Sequence, residues 1–331
     1  MPATLPLAPI EADFESKIQS TIAQRDKISS VVAKIQPTLR NVFLVGAGGS
    51  IIASYPAYYA LYRNAPFAVH QVQSDEFNTG HPATLGEGSL VILASHTGKT
   101  KETVAAAQNA TKAGATVISV TEEGTPLAEA SEYALFGESD LMEAMIAYEI
   151  LRQSGVELDY DAIDAAFDAM PKALLSAQEE SEQTTQQIAD ALKDEPITYV
   201  LGSGPSYAWA YGLAMCYLQE MQWKHAAAFN SGEFFQGAFE MLDENLAVIL
   251  LLGEDESRPM GERAKSFLER FGGKNHYLDT KDLSLGGVSD EIRPHVSPFA
   301  LRVVVGRLAK HYEAARGHNL DQRHYMFKVE Y

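Results

Sequence analysis

Short apolar runs alternate with amphipathic stretches along the first half of the chain, and this alternation predicts strands and helices in turn. Five apolar runs predict strands, at residues 42–45, 67–72, 89–94, 116–120 and 133–136. Helical spacing predicts a charged helix at 11–36 and further helices at 51–63 and 101–113. Strands that alternate with helices predict an α/β fold built on a doubly wound parallel sheet, covered by helices on both faces.

The same pattern returns in the second half, after a stretch at 140–194 that has helical spacing and almost no strand signal. The segment VGAGGS at 45–50 matches LGSGPS at 201–206, and LVILAS near residue 90 matches LAVILLL near residue 246. These matches favour a duplicated α/β unit over a chance similarity. We therefore divide the chain into an N-terminal arm and helix at 1–34, a first domain at 35–155, connecting helices at 156–194, and a second domain with a C-terminal tail at 195–331.

The composition limits the kinds of ligand that the chain is expected to bind and the cellular compartment in which it is expected to act. The chain has 331 residues with 26 basic and 44 acidic side chains, which gives a formal charge of −18. This negative charge argues against nucleic acid as a binding partner, but it allows a small phosphorylated ligand that is held by backbone N–H groups. Cys216 is the single cysteine, which excludes an intrachain disulfide and Cys-rich zinc sites. Because no signal peptide or membrane span is recognisable, we expect a cytoplasmic protein without a membrane partner.

Two glycine-rich loops invite nucleotide-binding interpretations that fail in detail. The turn GAGGS follows the first predicted strand, but Ile51 stands where the dinucleotide motif G-x-G-x-x-G requires glycine. Gly98-Lys99-Thr100 resembles the end of a P-loop, but Leu93 stands where that motif requires its first glycine. Neither a dinucleotide nor ATP is therefore the expected ligand.

The segment from Ser95 to Thr100 fits a phosphate monoester better. It offers the hydroxyls of Ser95, Thr97 and Thr100 between a buried strand and the start of a helix, where backbone N–H groups are free to bind an anion. The GAGGS loop and this loop end the first and third predicted strands, which are the candidates to flank the ligand crevice of an open parallel sheet. The alternative is that these hydroxyls only cap the helix.

At this point a family resemblance becomes specific. GAGGS, ASHTGKT and the following TEEGTPLAEASEY resemble the SIS (sugar isomerase) family of phosphosugar-binding proteins, and the duplication resembles the isomerase half of glucosamine-6-phosphate synthase. The segments SGEF at 231–234, LLGEDESR at 251–258, HNLDQR at 318–323 and the terminal VEY resemble the Amadori-product deglycases, such as fructoselysine-6-phosphate deglycase, more closely. The resemblance spans residues 35–331 and implies two tandem SIS units, each with a doubly wound parallel sheet of five strands.

The resemblance also implies roles for particular residues. Glu220 matches the glutamate that moves a proton between C1 and C2 of the sugar, and Glu233 begins a loop that reaches the sugar. Lys328 aligns with a lysine that the synthase brings to the sugar carbonyl, although the deglycases lack that lysine. The positions implied to bind the phosphosugar are Gly48, Gly49, Ser50, Ser95, Thr97 and Thr100.

Gln236 departs from the family pattern. At this position the family has a histidine that assists opening of the sugar ring, and a glutamine amide cannot transfer a proton near neutral pH. Gln236 can still orient a sugar hydroxyl within the catalytic site. Three explanations stay open: another histidine replaces the missing one, the substrate is already open, or the activity is weak. His318, His324 and His225 are the candidates for the first explanation, and His318 matches a position shared with the deglycases.

The expected function is a phosphosugar-processing enzyme. Removal of a C1 proton by Glu220 and its return to C2 would convert an Amadori 6-phosphate into an imine, which water hydrolyses to glucose 6-phosphate and an amine. This chemistry requires neither a metal nor a redox cofactor. The alternatives are an amino-sugar phosphate isomerase or deaminase, and a regulator that binds phosphosugars without catalysis. The resemblance implies a homodimer or larger assembly with the site at the subunit interface.

Overall fold

The computed structural model describes residues 4–326 and 328–330. The terminal VEY signal is therefore only partly described, because Tyr331 lies outside those residues. The chain forms two compact units. The N-terminal unit is Asp13–Pro171, and the C-terminal unit is Lys172–Tyr331 together with Met1–Ala12.

The N-terminal unit is built on five parallel strands in the order β2-β1-β3-β4-β5. The strands are β1 (Asn41–Gly46), β2 (Ala68–Gln73), β3 (Ser89–Ala94), β4 (Thr116–Val120) and β5 (Tyr133–Leu135). All five lie where the apolar runs predicted them, because a parallel strand buried on both faces needs apolar residues without interruption. Every residue of β1 and β3, the central pair, is buried.

Helices surround this sheet, and two of the predicted ones are interrupted. The helices are α1 (Phe14–Ile22), α2 (Arg25–Ile35), α3 (Gly49–Ala53), α4 (Tyr55–Asn64), α5 (Ser74–Gly80), α6 (Lys101–Lys112), α7 (Pro126–Glu129) and α8 (Ser139–Gln153). The single helix predicted at 11–36 is wrong: it breaks around Gln24, whose side-chain amide donates to the backbone carbonyl of Phe136. The helix predicted at 51–63 also breaks, because Pro56 in the first turn of α4 lacks an N–H to continue α3.

The long helices predicted at 140–194 are confirmed as α8, α9 (Tyr160–Glu180) and α10 (Glu182–Leu192). The C-terminal unit then repeats the strand pattern. Its strands are β6 (Ile197–Gly202), β7 (His225–Asn230), β8 (Ala247–Leu252) and β9 (Lys274–Asp279), in the parallel order β7-β6-β8-β9. This order is that of β2-β1-β3-β4, so the duplication is confirmed.

The prediction of five strands in each sheet is wrong for the C-terminal unit, whose described residues form four. After β9 the chain enters a short 3-10 helix at Thr280–Asp282 and reaches the next long helix, α13 (Arg293–Arg316), without another strand among the described residues. The connecting segment places single buried leucines, Leu283 and Leu285, among polar residues and glycines. It therefore lacks the continuous apolar run that a buried strand needs.

The remaining helices of the C-terminal unit are α11 (Ser206–Gly212) and α12 (Arg258–Phe271). The N-terminal arm is tied to α13: the backbone N–H of Leu5 donates to the carbonyl of Ala314 at 3.0 Å, and Arg307 donates to the carbonyl of Ala8 at 2.6 Å. Within the described residues, no helix has both the length and the apolar character needed to cross a bilayer.

Candidate active site

The first candidate loop follows β1 in the N-terminal unit. Gly48 has φ +56, a left-handed conformation that glycine adopts at little cost, and the N–H of Ser50 donates to the carbonyl of Ala47 at 3.2 Å. Gly46 is also required, because a Cβ there would come within 2.9 Å of the backbone nitrogen of Ile51. The turn leaves Gly49 exposed and Ser50 half-buried at the end of the strand.

The second candidate loop follows β3. The hydroxyls of Ser95 and Thr100 lie 3.1 Å apart, and the N–H of Gly98 donates to the carbonyl of Ser95 at 3.1 Å. Thr100 occupies the N-cap of α6, but its side chain makes no capping hydrogen bond. This observation weighs against the idea that the hydroxyls only cap the helix. Thr97 and Lys99 are exposed beside them.

Both loops lie at the carboxyl edge of the sheet, at its switch point. Strand β1 pairs in parallel with β2 on one side and with β3 on the other. The order of the strands therefore reverses at β1: the chain adds β2 on one side of β1 and then adds β3 on the other side. Open α/β sheets bind ligands at such a position. The structure thus brings the predicted phosphate loops to neighbouring strands, with hydroxyls and the N-terminus of the twelve-residue α6 available to an anion.

The loop of the C-terminal unit that is equivalent to the loop after β3 is acidic, and its own side chains form ion pairs. It follows β8, where Glu254 forms a bidentate pair with Arg293 at 2.8 and 2.9 Å. Arg258 forms a second bidentate pair with Asp279 at 2.8 and 2.6 Å and donates to the carbonyl of Gly253. The LLGEDESR segment therefore stabilises a loop, and its carboxylates disfavour a bound phosphate.

Glu220 lies in an unusual stretch of helix in the C-terminal unit. Helix α11 continues without a break into a π-helix at Leu213–Met221, and Glu220 is its penultimate residue. Extended π-helices are rare and are often found at functional sites. One turn earlier, burial and the nearby Glu220 raise the pKa of Cys216 to about 12. Cys216 is therefore a neutral thiol rather than a nucleophile.

A pocket of about 690 Å³ opens beside Glu220. One wall is the end of the π-helix and the start of β7, and the other is the C-terminal tail that follows α13. Arg323 of the tail pairs with the Glu220 carboxylate at 2.8 Å, and the two side chains are only 13% and 23% exposed. The lining residues are Gln219, Glu220, Trp223, Lys224, His225, Arg323, His324, Tyr325 and Met326.

The histidine candidates occupy different environments around this pocket. His225 and His324 line it, whereas His318 packs edge-on against Trp223, with ring centroids 4.4 Å apart. Burial, followed by the charge of Arg316, lowers the pKa of His318. His318 is therefore mostly neutral near pH 7.

The other predicted residues of the C-terminal unit lie outside the lining of this pocket. Glu233 and Gln236 are exposed at the two ends of a short 3-10 helix, Glu233–Gln236. Lys328 is exposed, and its ammonium donates to the backbone carbonyl of Arg323. The structure thus gathers Glu220 with Arg323 and His324, and gathers the hydroxyl loops in the other unit.

Sequence reasoning missed two residues beside Glu220, namely Trp223 and Arg323. Arg323 was part of the HNLDQR signal, but nothing in its spacing connected it with a glutamate a hundred positions earlier. Trp223 is close to Glu220 in sequence, but its left-handed backbone, with φ +52, leaves no trace in a hydrophobic pattern. Among the described residues, no group of three His, Cys, Asp or Glu side chains is placed to hold a metal ion.

Comparison with known proteins agrees with these features. Residues 39–141 match the SIS domain family. The fructosamine deglycase of Bacillus subtilis is 35% identical over 306 residues, which cover 89% of this chain and 93% of that protein. The fructoselysine 6-phosphate deglycase of Escherichia coli K12 is 24% identical, covering 88% of this chain and 86% of that one. A crystal structure from Salmonella typhimurium LT2, of a protein proposed to be a phosphosugar isomerase, superposes with a TM-score of 0.88 at 33% identity over 93% of this chain and 99% of that chain.

Proposed function

Because the chain belongs to the SIS family, we propose that it is a deglycase that cleaves a fructosamine 6-phosphate to glucose 6-phosphate and an amine, with Glu220 as the acid/base. The observation that carries this proposal is the position of Glu220, at the wall of a pocket of about 690 Å³ and 23% exposed. The likeness to two proteins named as deglycases supports the reaction class.

The proposed proton transfers are simple. Glu220 removes a proton from C1 of the open-chain Amadori compound, and the electron pair moves through C1–C2 to the carbonyl oxygen, which takes up a proton to give an enaminol. Return of the proton from Glu220 to C2 leaves a protonated imine (iminium) between C1 and nitrogen. Water then adds to C1, and the C1–N bond breaks to release the amine and an aldose 6-phosphate. One carboxylate serves both steps, because the first transfer protonates Glu220 and the second transfer returns it to the carboxylate.

The phosphate is assigned to the loops that follow β1 and β3. Ser95 and Thr100 offer adjacent hydroxyls, Ser50 lies at the end of the neighbouring strand, and the N-terminus of α6 favours negative charge. Only local groups are needed, which reconciles anion binding with a formal charge of −18. The acidic loop after β8 is not assigned a phosphate.

The test is direct product analysis. The protein is incubated with fructoselysine 6-phosphate, and glucose 6-phosphate is followed with an NADP-dependent glucose-6-phosphate dehydrogenase while lysine is quantified by amino-acid analysis. We expect the two products in equal amounts, and no product from fructoselysine that lacks the phosphate. If sugar phosphates bind but fructosamine 6-phosphates do not turn over, the deglycase proposal is overturned and a phosphosugar-binding regulator takes its place.

A further inference from the structure

The backbone at Trp223 is held in a conformation that a tryptophan rarely adopts. Its φ is +52, in the left-handed region, which a bulky side chain adopts only at a cost in free energy. The π-helix ends at this point, with the N–H of Trp223 donating to Gln219 at 3.2 Å and the N–H of Lys224 to Leu218 at 2.8 Å. Glycine or asparagine would adopt this backbone conformation at a lower cost in free energy. The presence of tryptophan therefore indicates that its side chain has a role here.

The segment beneath Trp223 is fixed to the end of α13. The neighbouring Gln222 is fully buried, and its side chain donates to the carbonyl of His318 at 2.7 Å. Arg316 donates to the backbone carbonyl and to the side-chain oxygen of Gln222. The backbone next to the indole is therefore held in place, although Trp223 itself is 42% exposed.

The ring of Trp223 contacts the C-terminal tail twice. Its centroid lies 3.5 Å from that of His324 and 4.4 Å from that of His318. The tail leaves α13 through Gly317, which has φ +61, and Leu320 anchors it, because this residue is only 7% exposed and its N–H donates to the Glu313 carboxylate at 2.9 Å. Among the described ring contacts of His324 the indole is the nearer, since the ring of Tyr325 lies 5.9 Å away.

His324 follows Arg323, and this adjacency connects the indole with Glu220. While Trp223 holds His324, the guanidinium of Arg323 lies 2.8 Å from the Glu220 carboxylate. We infer that Trp223 is a positioning residue: through its ring contact with His324 it places Arg323 against Glu220 and so orients the carboxylate that transfers the proton. This inference rests on the proposed function of Glu220 for its catalytic consequence, but the coupling between Trp223 and Glu220 can be measured without turnover.

A purely structural role makes a different prediction. If Trp223 only stabilised the fold, W223A would lower the stability of the protein and leave the kcat of the folded enzyme unchanged. A positioning role instead predicts that W223A lowers kcat about 10- to 100-fold with a much smaller change in KM, as expected for a misplaced catalytic group. W223F should retain most of the kcat, because a phenyl ring still offers His324 a face.

The kinetic test is a double-mutant cycle with fructoselysine 6-phosphate as substrate. If Trp223 acts through Arg323, R323A should lower kcat far less in the W223A background than in the wild type, because the two changes disrupt one arrangement. F271A is the matched control, since Phe271 is an exposed aromatic residue of the same unit, at 51%, and does not line the pocket. Additive effects of W223A and R323A, or a W223A variant as active as F271A, overturn the inference.

A second readout does not depend on turnover. The chain has two tryptophans, so W209F leaves Trp223 as the sole indole fluorophore. In that background, E220Q weakens the pair with Arg323 and should shift the emission of Trp223, whereas E240Q, at an exposed glutamate, should not. Equal spectra for E220Q and E240Q contradict the coupling. If the wild type turns over no fructosamine 6-phosphate, the proposed function fails, and this spectral comparison alone decides the inference.

Discussion

At the residue scale, Glu143 of α8 is the most unusual titratable group in the N-terminal unit. It is fully buried, and neither carboxyl oxygen has a hydrogen-bond partner among the described residues. Burial, followed by the nearby Asp140, raises the pKa of Glu143 well above its ordinary value. The folded protein therefore keeps this carboxyl protonated at a pH where the unfolded chain has already ionised it.

This difference gives a stability prediction with a definite sign. Because the folded state binds the extra proton, the free energy of unfolding should fall as pH rises above about 4.3, by about 1.4 kcal/mol per pH unit until the folded pKa is reached. The side chain introduced by E143Q cannot ionise, so the variant should not lose stability in this way. The free energy of unfolding of E143Q relative to that of the wild type should therefore increase from pH 4 to pH 8. Urea unfolding across that range measures it, with E157Q at an exposed glutamate as the control. A constant difference between E143Q and the wild type would contradict the assignment.

The roles of individual side chains could be predicted only where a sequence motif indicated them. The hydroxyls of the loop after β3 were recognisable because strand, loop and helix follow one another in sequence. The partner of Glu220 was not, because Arg323 reaches it only through the path of α13 and the tail. Gln236 was recognised as a departure from the family, yet its exposed place on a 3-10 helix depends on tertiary structure.

At the element scale, the loop after β3 depends on Gly98. This residue has φ +60, and a Cβ there would lie 2.2 Å from the hydroxyl oxygen of Thr125 and 2.5 Å from that of Thr121. G98A must therefore displace the loop, so we expect it to weaken glucose 6-phosphate binding by at least tenfold, the loss of about one charge-assisted hydrogen bond. G80A is the control, because a Cβ at Gly80 meets no atom within 4 Å. Calorimetric titration compares the two, and unchanged affinity in G98A would count against a phosphate site in this loop.

Strands were predictable at this scale, and of the two helix breaks only the one before Pro56 has a signal in the sequence. An apolar run without interruption identifies a strand buried in a parallel sheet, and β3 and β4 have the predicted bounds. At the other break, the side chain of Gln24 donates to the carbonyl of Phe136, more than a hundred residues away. The π-helix at Leu213–Met221 has the same apolar pattern as an α-helix, so the sequence could not distinguish the two. The family resemblance implied a fifth strand in the second sheet, but the described residues form four there, because the segment after β9 lacks a continuous apolar run.

At the scale of the whole molecule, the duplicated units differ in the loops that follow their equivalent strands. The N-terminal unit carries the hydroxyl loops at its switch point, whereas the equivalent loop of the C-terminal unit is filled by the pairs of Glu254 with Arg293 and of Arg258 with Asp279. The C-terminal unit instead supplies Glu220 and its pocket. We therefore expect substitutions in the loops after β1 and β3 to weaken phosphosugar binding, and substitution of Glu220 to impair turnover.

The measurement that tests this most directly compares E220Q with E240Q, a substitution at an exposed glutamate of the same unit. Turnover of fructoselysine 6-phosphate is followed by glucose 6-phosphate release, and affinity for glucose 6-phosphate is measured by calorimetry. We expect E220Q to lower kcat by about 10²- to 10⁴-fold, the usual contribution of a general acid/base, with its affinity for glucose 6-phosphate unchanged. An E220Q variant that turns over fructoselysine 6-phosphate as fast as E240Q would contradict the assignment of Glu220 as the acid/base.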